Sequence, residues 1–280
     1  MIQVFKSYFA PPKILISDGC RQKNKKAIRE KNHHNFSYYY AHKEVKETLE
    51  IIYNEKCGYC ESKTKHVASL EVEHYRSKAK VAEDLTHNGY YWLGYEWSNL
   101  LLACSKCNEQ GAKGNKFPIG GLIVSLYSSK YLADISPLID EKSLLLNPEI
   151  DNPREHFIFD AYGKIESATT RGIETIEICK LDRDKLNIMR RAEIIADIFI
   201  SIENLILAYE TKISMPKETF LFMLKNIFDN LKKKKKPSHS YSLLGWYMFH
   251  NFDKFVRVHL NYSFQKPIIE AWRKYKKEEL

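Results

Sequence analysis

The spacing of apolar positions changes character along the chain. In residues 37–56, Val45, Leu49, Ile52 and Tyr53 recur every three or four positions and predict a helix. Before it, residues 1–16 read as a short strand or arm broken by Pro11 and Pro12, and residues 20–35 as a polar, basic surface helix or mobile arm. A short, partly alternating stretch at 67–72 predicts a strand, with His74 at or just past its end. Residues 89–102 are dense in Tyr, Trp and Leu and must be buried; Ser98 is placed to cap a short helix carrying Asn99 to residue 102. The run 144–148 ends in a turn, 156–160 reads as a strand and 161–164 as a turn.

Helical periodicity then dominates. Leu186, Met189, Ile194, Ile198, Ile202, Leu205 and Leu207 mark one side of a long helix over 182–212. Pro216 suits the first turn of a helix running to 236, which Pro237 closes. Further helices are predicted over 242–260 and 268–277. The fold class is α+β, mainly α. Its organisation reads as an N-terminal arm and helix (1–56), a small core (57–118), a mixed connecting region (119–181) and a basic helical C-terminal region (182–280).

Composition adds three points. With 44% hydrophobic and 13% aromatic residues, the chain has enough apolar surface for a core. No apolar run approaches the roughly 20 residues of a membrane span, and the first residues lack the order of a secretion signal. A cytoplasmic location is therefore expected, and in that compartment six cysteines suggest metal ligands or buried thiols rather than disulfides. The net charge of +9 is localised: residues 212–280 hold 15 of the 44 Lys/Arg and 6 of the 35 Asp/Glu, which leaves residues 1–211 neutral. A localised basic surface attracts polyanions, nucleic acid above all, although it can also be a solubilising tail.

The candidate chemistry lies between residues 57 and 118. Cys57/Cys60 and Cys104/Cys107 are two Cys-x-x-Cys pairs. Four thiolates from two such knuckles make a closed tetrahedral zinc site, architectural because no position is left for water. A redox pair is the lesser alternative, since no thioredoxin-like pattern surrounds either knuckle. Cys20 and Cys179 have no such partner pattern. Between the knuckles stand Glu73 and His74, which on an extended strand point to opposite sides, so the pair needs a bend to act together. Asn108 follows the last cysteine, where a helix is expected to begin. Glu73 and Asn108 offer hard oxygens suited to a Mg²⁺-type ion, and His74 a proton acceptor for an attacking water.

The stretches EVEHYRSK, YEWSNLLLACSKCN and KGNKFP together resemble the HNH endonuclease motif in its zinc-braced ββα-metal form. The resemblance implies His74 as general base, Glu73 as the metal-binding acidic residue and Asn99 as the residue orienting the histidine loop. Asn108 matches the last motif position, a metal ligand. GYYWLGYEWSNLLLAC and KGNKFP are closer still to the HNH subunit of Septu-type antiphage defence systems, including those attached to retrons. This likeness spans roughly residues 57–190 and is motif-dense only over 57–118. It implies Mg²⁺ or Mn²⁺ as catalytic ion beside structural Zn²⁺. It also implies an ABC/SMC-like ATPase as partner, with a retron reverse transcriptase and its RNA–DNA hybrid as a further one. Two departures stand out: Ser77 occupies a position usually held by proline, and Glu73 replaces the Asp of many HNH enzymes.

Arg76, Lys78, Lys113 and Lys116 flank the motif and are candidate phosphate contacts. Trp92, Tyr95 and Trp97 are expected in the core rather than stacked on bases, and His33, His34, His66 and His87 have no partner pattern. The lysine run 232–236 suits either a nucleic-acid backbone or a solvated helix end. Two other functions compete with a DNA- or RNA-cutting effector: a non-catalytic zinc module that binds nucleic acid or protein, and a stand-alone restriction-type nuclease.

Overall fold

The computed structural model describes residues 1–32, 37–65, 67–124, 138–211 and 215–280, with the backbone alone at Ser37. His33, His34 and His66 lie outside the described residues. The chain divides into two compact units, one of residues 1–157 with 167–181, the other of 158–166 with 182–280. It is mostly helical, with two small two-stranded sheets.

In the first unit, the polar segment expected as a helix or arm is helix α1 (Asp18–Glu30). Ser17 caps it by accepting from the Cys20 amide, and Lys31 ends it in a left-handed conformation. Helices α2 (Ser37–Tyr40) and α3 (Lys43–Ile52) follow. Val45 and Leu49 of α3 are fully buried, and left-handed Asn54 and Glu55 turn the chain into the first knuckle.

Strand β1 (Glu71–His74) pairs antiparallel with β2 (Leu100–Ala103), with Glu73 opposite Leu101 and His74 opposite Leu100. Two expectations change here. The first strand starts four residues later than the alternation suggests, with His74 as its last residue. Residues 100–103 form a strand rather than a capped helix. Leu100, Leu101, Leu102 and Ala103 are all fully buried, leaving no polar side for a surface helix, and each finds a ladder partner in β1. Ser98 instead sits in a single 3-10 turn, where the Glu96 side chain accepts from its amide.

Helix α4 (Ser105–Asn108) carries the second knuckle, so Asn108 ends a helix where a start is expected. The Cys104 carbonyl accepts from the Cys107 and Asn108 amides, which winds this single turn. Helix α5 (Thr170–Ile178) is capped by Thr169 and closes the unit: Thr175 accepts from the Leu146 amide, and Arg171 bonds Asp151 and the Ser143 carbonyl. Trp92, Tyr95 and Trp97 belong to the core, as expected.

The second unit begins with a hairpin, β3 (Ile158–Phe159) and β4 (Ile165–Glu166). Gly163 takes φ +87° in its turn, where a Cβ would also approach Ile195 to 3.3 Å. The long helix predicted over 182–212 is α6 (Asp184–Arg190), a π-helical stretch (Arg191–Ala196) and α7 (Asp197–Thr211). Pro216 is the N-cap of α8 (Lys217–Lys234). The single helix expected over 242–260 is two, α9 (Ser242–His250) and α10 (Phe252–His259), broken where Asn251 leaves helical geometry. Helix α11 (Tyr262–Lys276) completes the chain. Phe228, Phe252 and Trp272 meet at ring-centroid distances of 4.6–5.7 Å and form the aromatic centre of this unit. Among the described residues, no helix is long and apolar enough to cross a membrane.

Candidate active site

The two knuckles converge. The sulfurs of Cys57, Cys60, Cys104 and Cys107 all lie within 4.8 Å of one another and all four residues are buried, with Cys60 Sγ 3.7 Å from Cys104 Sγ. A tetrahedral zinc with Zn–S bonds of about 2.3 Å sets its sulfurs roughly 3.8 Å apart, so the set fits that ion. The first knuckle is fastened to β2 by the Gly58 amide, which donates to the Leu102 carbonyl at 2.7 Å. A Cβ at Gly58 would come within 2.7 Å of the Tyr53 ring and 3.1 Å of that carbonyl, so only glycine permits this approach. Cys20 and Cys179 are buried elsewhere, and burial pushes the Cys20 thiol up to about 11.

This frame sets the β1–β2 hairpin, and β1 delivers His74 to a cleft of about 550 Å³. Glu73, His74, Lys78 and Asn108 all line that cleft, with Glu73 and His74 as the last two residues of β1 and no bend between them in the strand ladder. His74 Nε2 lies 2.9 Å from the Gly94 carbonyl. A carbonyl only accepts, so Nε2 is the donor of this pair, and in the neutral ring Nδ1 then carries the lone pair. Lys78 Nζ stands 3.3 Å from Nδ1 and 4.7 Å above the Tyr40 ring, which itself packs edge-on against the imidazole. Burial lowers the Lys78 pKa, against the pull of Glu73.

Asn99 is fully buried behind the cleft. Its Oδ1 accepts from the Arg76 amide (2.8 Å), and its Nδ2 donates to the Arg76 carbonyl (3.0 Å) and the Leu93 carbonyl (3.2 Å). It thereby staples the segment after His74 to the loop that presents Gly94.

The carboxylates are arranged less simply. Glu73 is buried, which raises its pKa, while the Lys113 ammonium in contact with it pulls the other way. Lys113 also donates to the His74 carbonyl at 2.8 Å and is fully buried. Glu71, exposed and two residues before Glu73, accepts from Asn108 Nδ2 at 3.0 Å. Glu73, Glu71 and the Asn108 amide oxygen are hard donors among the residues that line this cleft. They fit Mg²⁺, which is held by one or two carboxylates plus water and substrate oxygens rather than by a closed protein cage.

Of the four candidate phosphate contacts, two are spent inside the fold. Arg76 is buried against Glu141 at 2.8 Å and donates to the Leu138 carbonyl, while Tyr90 bonds the other Glu141 oxygen. Lys113 is the internal clamp just described. Lys78 lines the cleft, and Lys116 is half-buried outside its lining. His87 is buried, with Nδ1 accepting from the Gly89 amide. Sequence reasoning misses Glu71, Tyr40 and Lys46, which also line the cleft. Only Glu71 carries a signal: on a strand it falls on the same side as Glu73.

Comparison with known proteins agrees with this geometry. Residues 57–114 match the HNH endonuclease family. The chain is 36% identical to Septu protein PtuB of Bacillus mycoides (strain KBAB4) over 165 residues, 57% of this chain and 53% of that protein. It is 32% identical to Septu protein PtuA of the same strain over 142 residues, 49% of this chain and 19% of that protein. The chain thus spans about half the length of the first relative and a smaller part of the second. Residues 57–114 are therefore a domain of the HNH endonuclease family, in a chain that is PtuB-like over little more than half its length.

Proposed function

We propose that this protein is a metal-dependent HNH endonuclease that hydrolyses phosphodiester bonds in DNA or RNA, as the cytoplasmic effector of a Septu-type antiphage system. The observation that carries this reading is the placement of His74: its Nε2 lies 2.9 Å from the Gly94 carbonyl, and the residue lines a cleft together with Glu71, Glu73 and Asn108.

On this reading Glu73 and Asn108 would hold Mg²⁺ or Mn²⁺, with Glu71 steadying Asn108. Bound there, the ion would supply positive charge for the phosphate and the leaving oxygen. His74 Nδ1 takes the proton of the attacking water. Gly94 keeps that nitrogen unprotonated beforehand and stabilises the imidazolium afterwards, and Asn99 holds the Gly94 loop in place. Lys78 covers Nδ1 in the free protein, so it must move aside for water, and a scissile phosphate offers its ammonium a stronger partner. Lys113 keeps its carbonyl bonds throughout and steadies Glu73.

Purified protein with Mn²⁺ or Mg²⁺ is expected to cut single- or double-stranded DNA or RNA, alone or with its ATPase. Binding without cutting under every condition would favour the non-catalytic zinc module. Site-specific cutting without any partner would favour the stand-alone nuclease. The Septu resemblance supplies the ABC/SMC-like ATPase as partner, and co-purification from a phage-challenged host tests it. The same pull-down reveals whether a reverse transcriptase with its RNA–DNA hybrid accompanies the pair.

A further inference from the structure

The residues that hold Asn99 in place do not all belong to the HNH motif. The side chain of Lys6, more than ninety positions before the turn it serves, is fully buried. Its ammonium donates to the Trp97 carbonyl at 2.8 Å and the Leu100 carbonyl at 2.6 Å, the two backbone oxygens that flank Ser98 and Asn99. Its third partner is Glu149 Oε1 at 2.8 Å, itself buried and bonded by the Tyr53 hydroxyl at 2.5 Å. An ammonium has three donors, and all three are used. The Trp97 ring lies 4.3 Å from Nζ, and the Trp97 indole donates to the Ser7 carbonyl, so the arm and the turn grip each other twice.

A buried lysine placed on two carbonyls and one carboxylate is a costly way to tie down a loop, because both charges lose their water. Apolar residues would fill the volume at lower cost, but they would leave the two carbonyls without donors. The turn so fixed carries Asn99, whose side chain sets Leu93 and Arg76, the residues beside Gly94 and after His74.

We infer that Lys6, with Glu149 as its counter-ion, is a positioning residue of the active site: it locks the 97–100 turn so that Asn99 keeps the Gly94 carbonyl on His74 Nε2. This rests on the nuclease reading above, but one arm of its test does not need activity.

The variant is Lys6→Met/Glu149→Gln, which removes both buried charges together. Lys6→Leu/Glu149→Leu, which refills the site with apolar volume, takes its place if the first does not fold. Both are checked for zinc content and thermal midpoint. In the folded variant kcat is expected to fall about 10–100-fold, as for other residues that orient a catalytic group, with KM within about twofold. Glu149→Gln alone, which leaves the ammonium on its carbonyls, is expected to keep most of that kcat. In ¹⁵N spectra of the wild type His74 should be a single Nε2–H tautomer, and in the double variant a mixture. Wild-type kcat in the folded double variant, or an unchanged His74 tautomer, would overturn the inference. An inactive wild type would instead sink the nuclease reading, and the tautomer comparison would still decide the role of Lys6.

Discussion

The two units use their cations in opposite ways. In the HNH-bearing unit the side chains of Lys6, Arg76 and Lys113 are buried, and each is paired with a carboxylate and with main-chain carbonyls. In the helical unit Lys232, Lys233, Lys236, Lys274, Lys276 and Lys277 are exposed, and the core is a cluster of aromatic rings. Lys234 and Arg190 are exceptions there: Lys234 is drawn in by Asp197 at 2.9 Å, and Arg190 is buried and donates to Asn187 Oδ1. The HNH-bearing unit, the larger of the two, has an apolar core as well, and its buried charge pairs tie loops to one another beside that core. A helical unit specifies itself by apolar periodicity and leaves its lysines at the surface. The same residue type is thus architecture in one region and a candidate contact for polyanions in the other.

That contrast can be broken at several points. The largest effect should come from the zinc frame. Structural zinc contributes about 10–16 kcal/mol in small zinc modules, so Cys60→Ser or chelation is expected to abolish amide protection across 57–118. Hydrogen exchange should show protection retained in 224–272; equal loss in both would deny the units separate stability.

Next comes Arg76→Met, which strands a fully buried Glu141. Removing one partner of a buried pair costs about 3–5 kcal/mol, to be read by denaturant titration of the zinc-loaded protein. A negligible change would mean that Arg76 is not structural.

The lysine run should behave the other way. Changing Lys232, Lys233 and Lys236 together to Ser is expected to leave the thermal midpoint unchanged but to weaken nucleic-acid binding. The slope of log affinity against log salt should become shallower by roughly 0.9 for each phosphate that the variant no longer neutralises. An unchanged slope would make the run a solubilising tail.

The smallest effect concerns Asp197. Burial acts to raise its pKa, but the Lys234 and Asn230 hydrogen bonds win and hold it below the ordinary 3.8. A carboxyl depressed in the fold stabilises above its unfolded pKa and loses that contribution as pH falls through the folded value. Asp197→Asn should therefore lower stability modestly at neutral pH, and the two proteins should converge as pH falls below about 4.

Much of the HNH core is legible in the chain because its chemistry is local. Two identical Cys-x-x-Cys spacings imply four converging sulfurs, and Glu73, His74, Lys78 and Asn108 do line one cleft. What stays hidden is contact between distant residues. Nothing in sequence links Lys6 to Trp97, Arg76 to Glu141 or Lys113 to Glu73, so a lysine or arginine beside the motif reads as a phosphate contact when it is an internal clamp. The 100–103 run misleads because four consecutive apolar residues fit a helix or a buried strand equally, and only the ladder with β1 decides. In the helical unit periodicity finds the helices, but the break at Asn251 and the π-helical stretch follow from packing that periodicity does not encode.

The central claim is that His74 Nδ1 is the base. Its most direct test is single-turnover cleavage by wild type and by His74→Ala, both carrying one zinc per chain and both melting at the same temperature. Metal-dependent cutting is predicted for the wild type, with a loss of at least about 100-fold in the variant, the ordinary lower size of a general-base contribution. Equal cutting by the two proteins would contradict it.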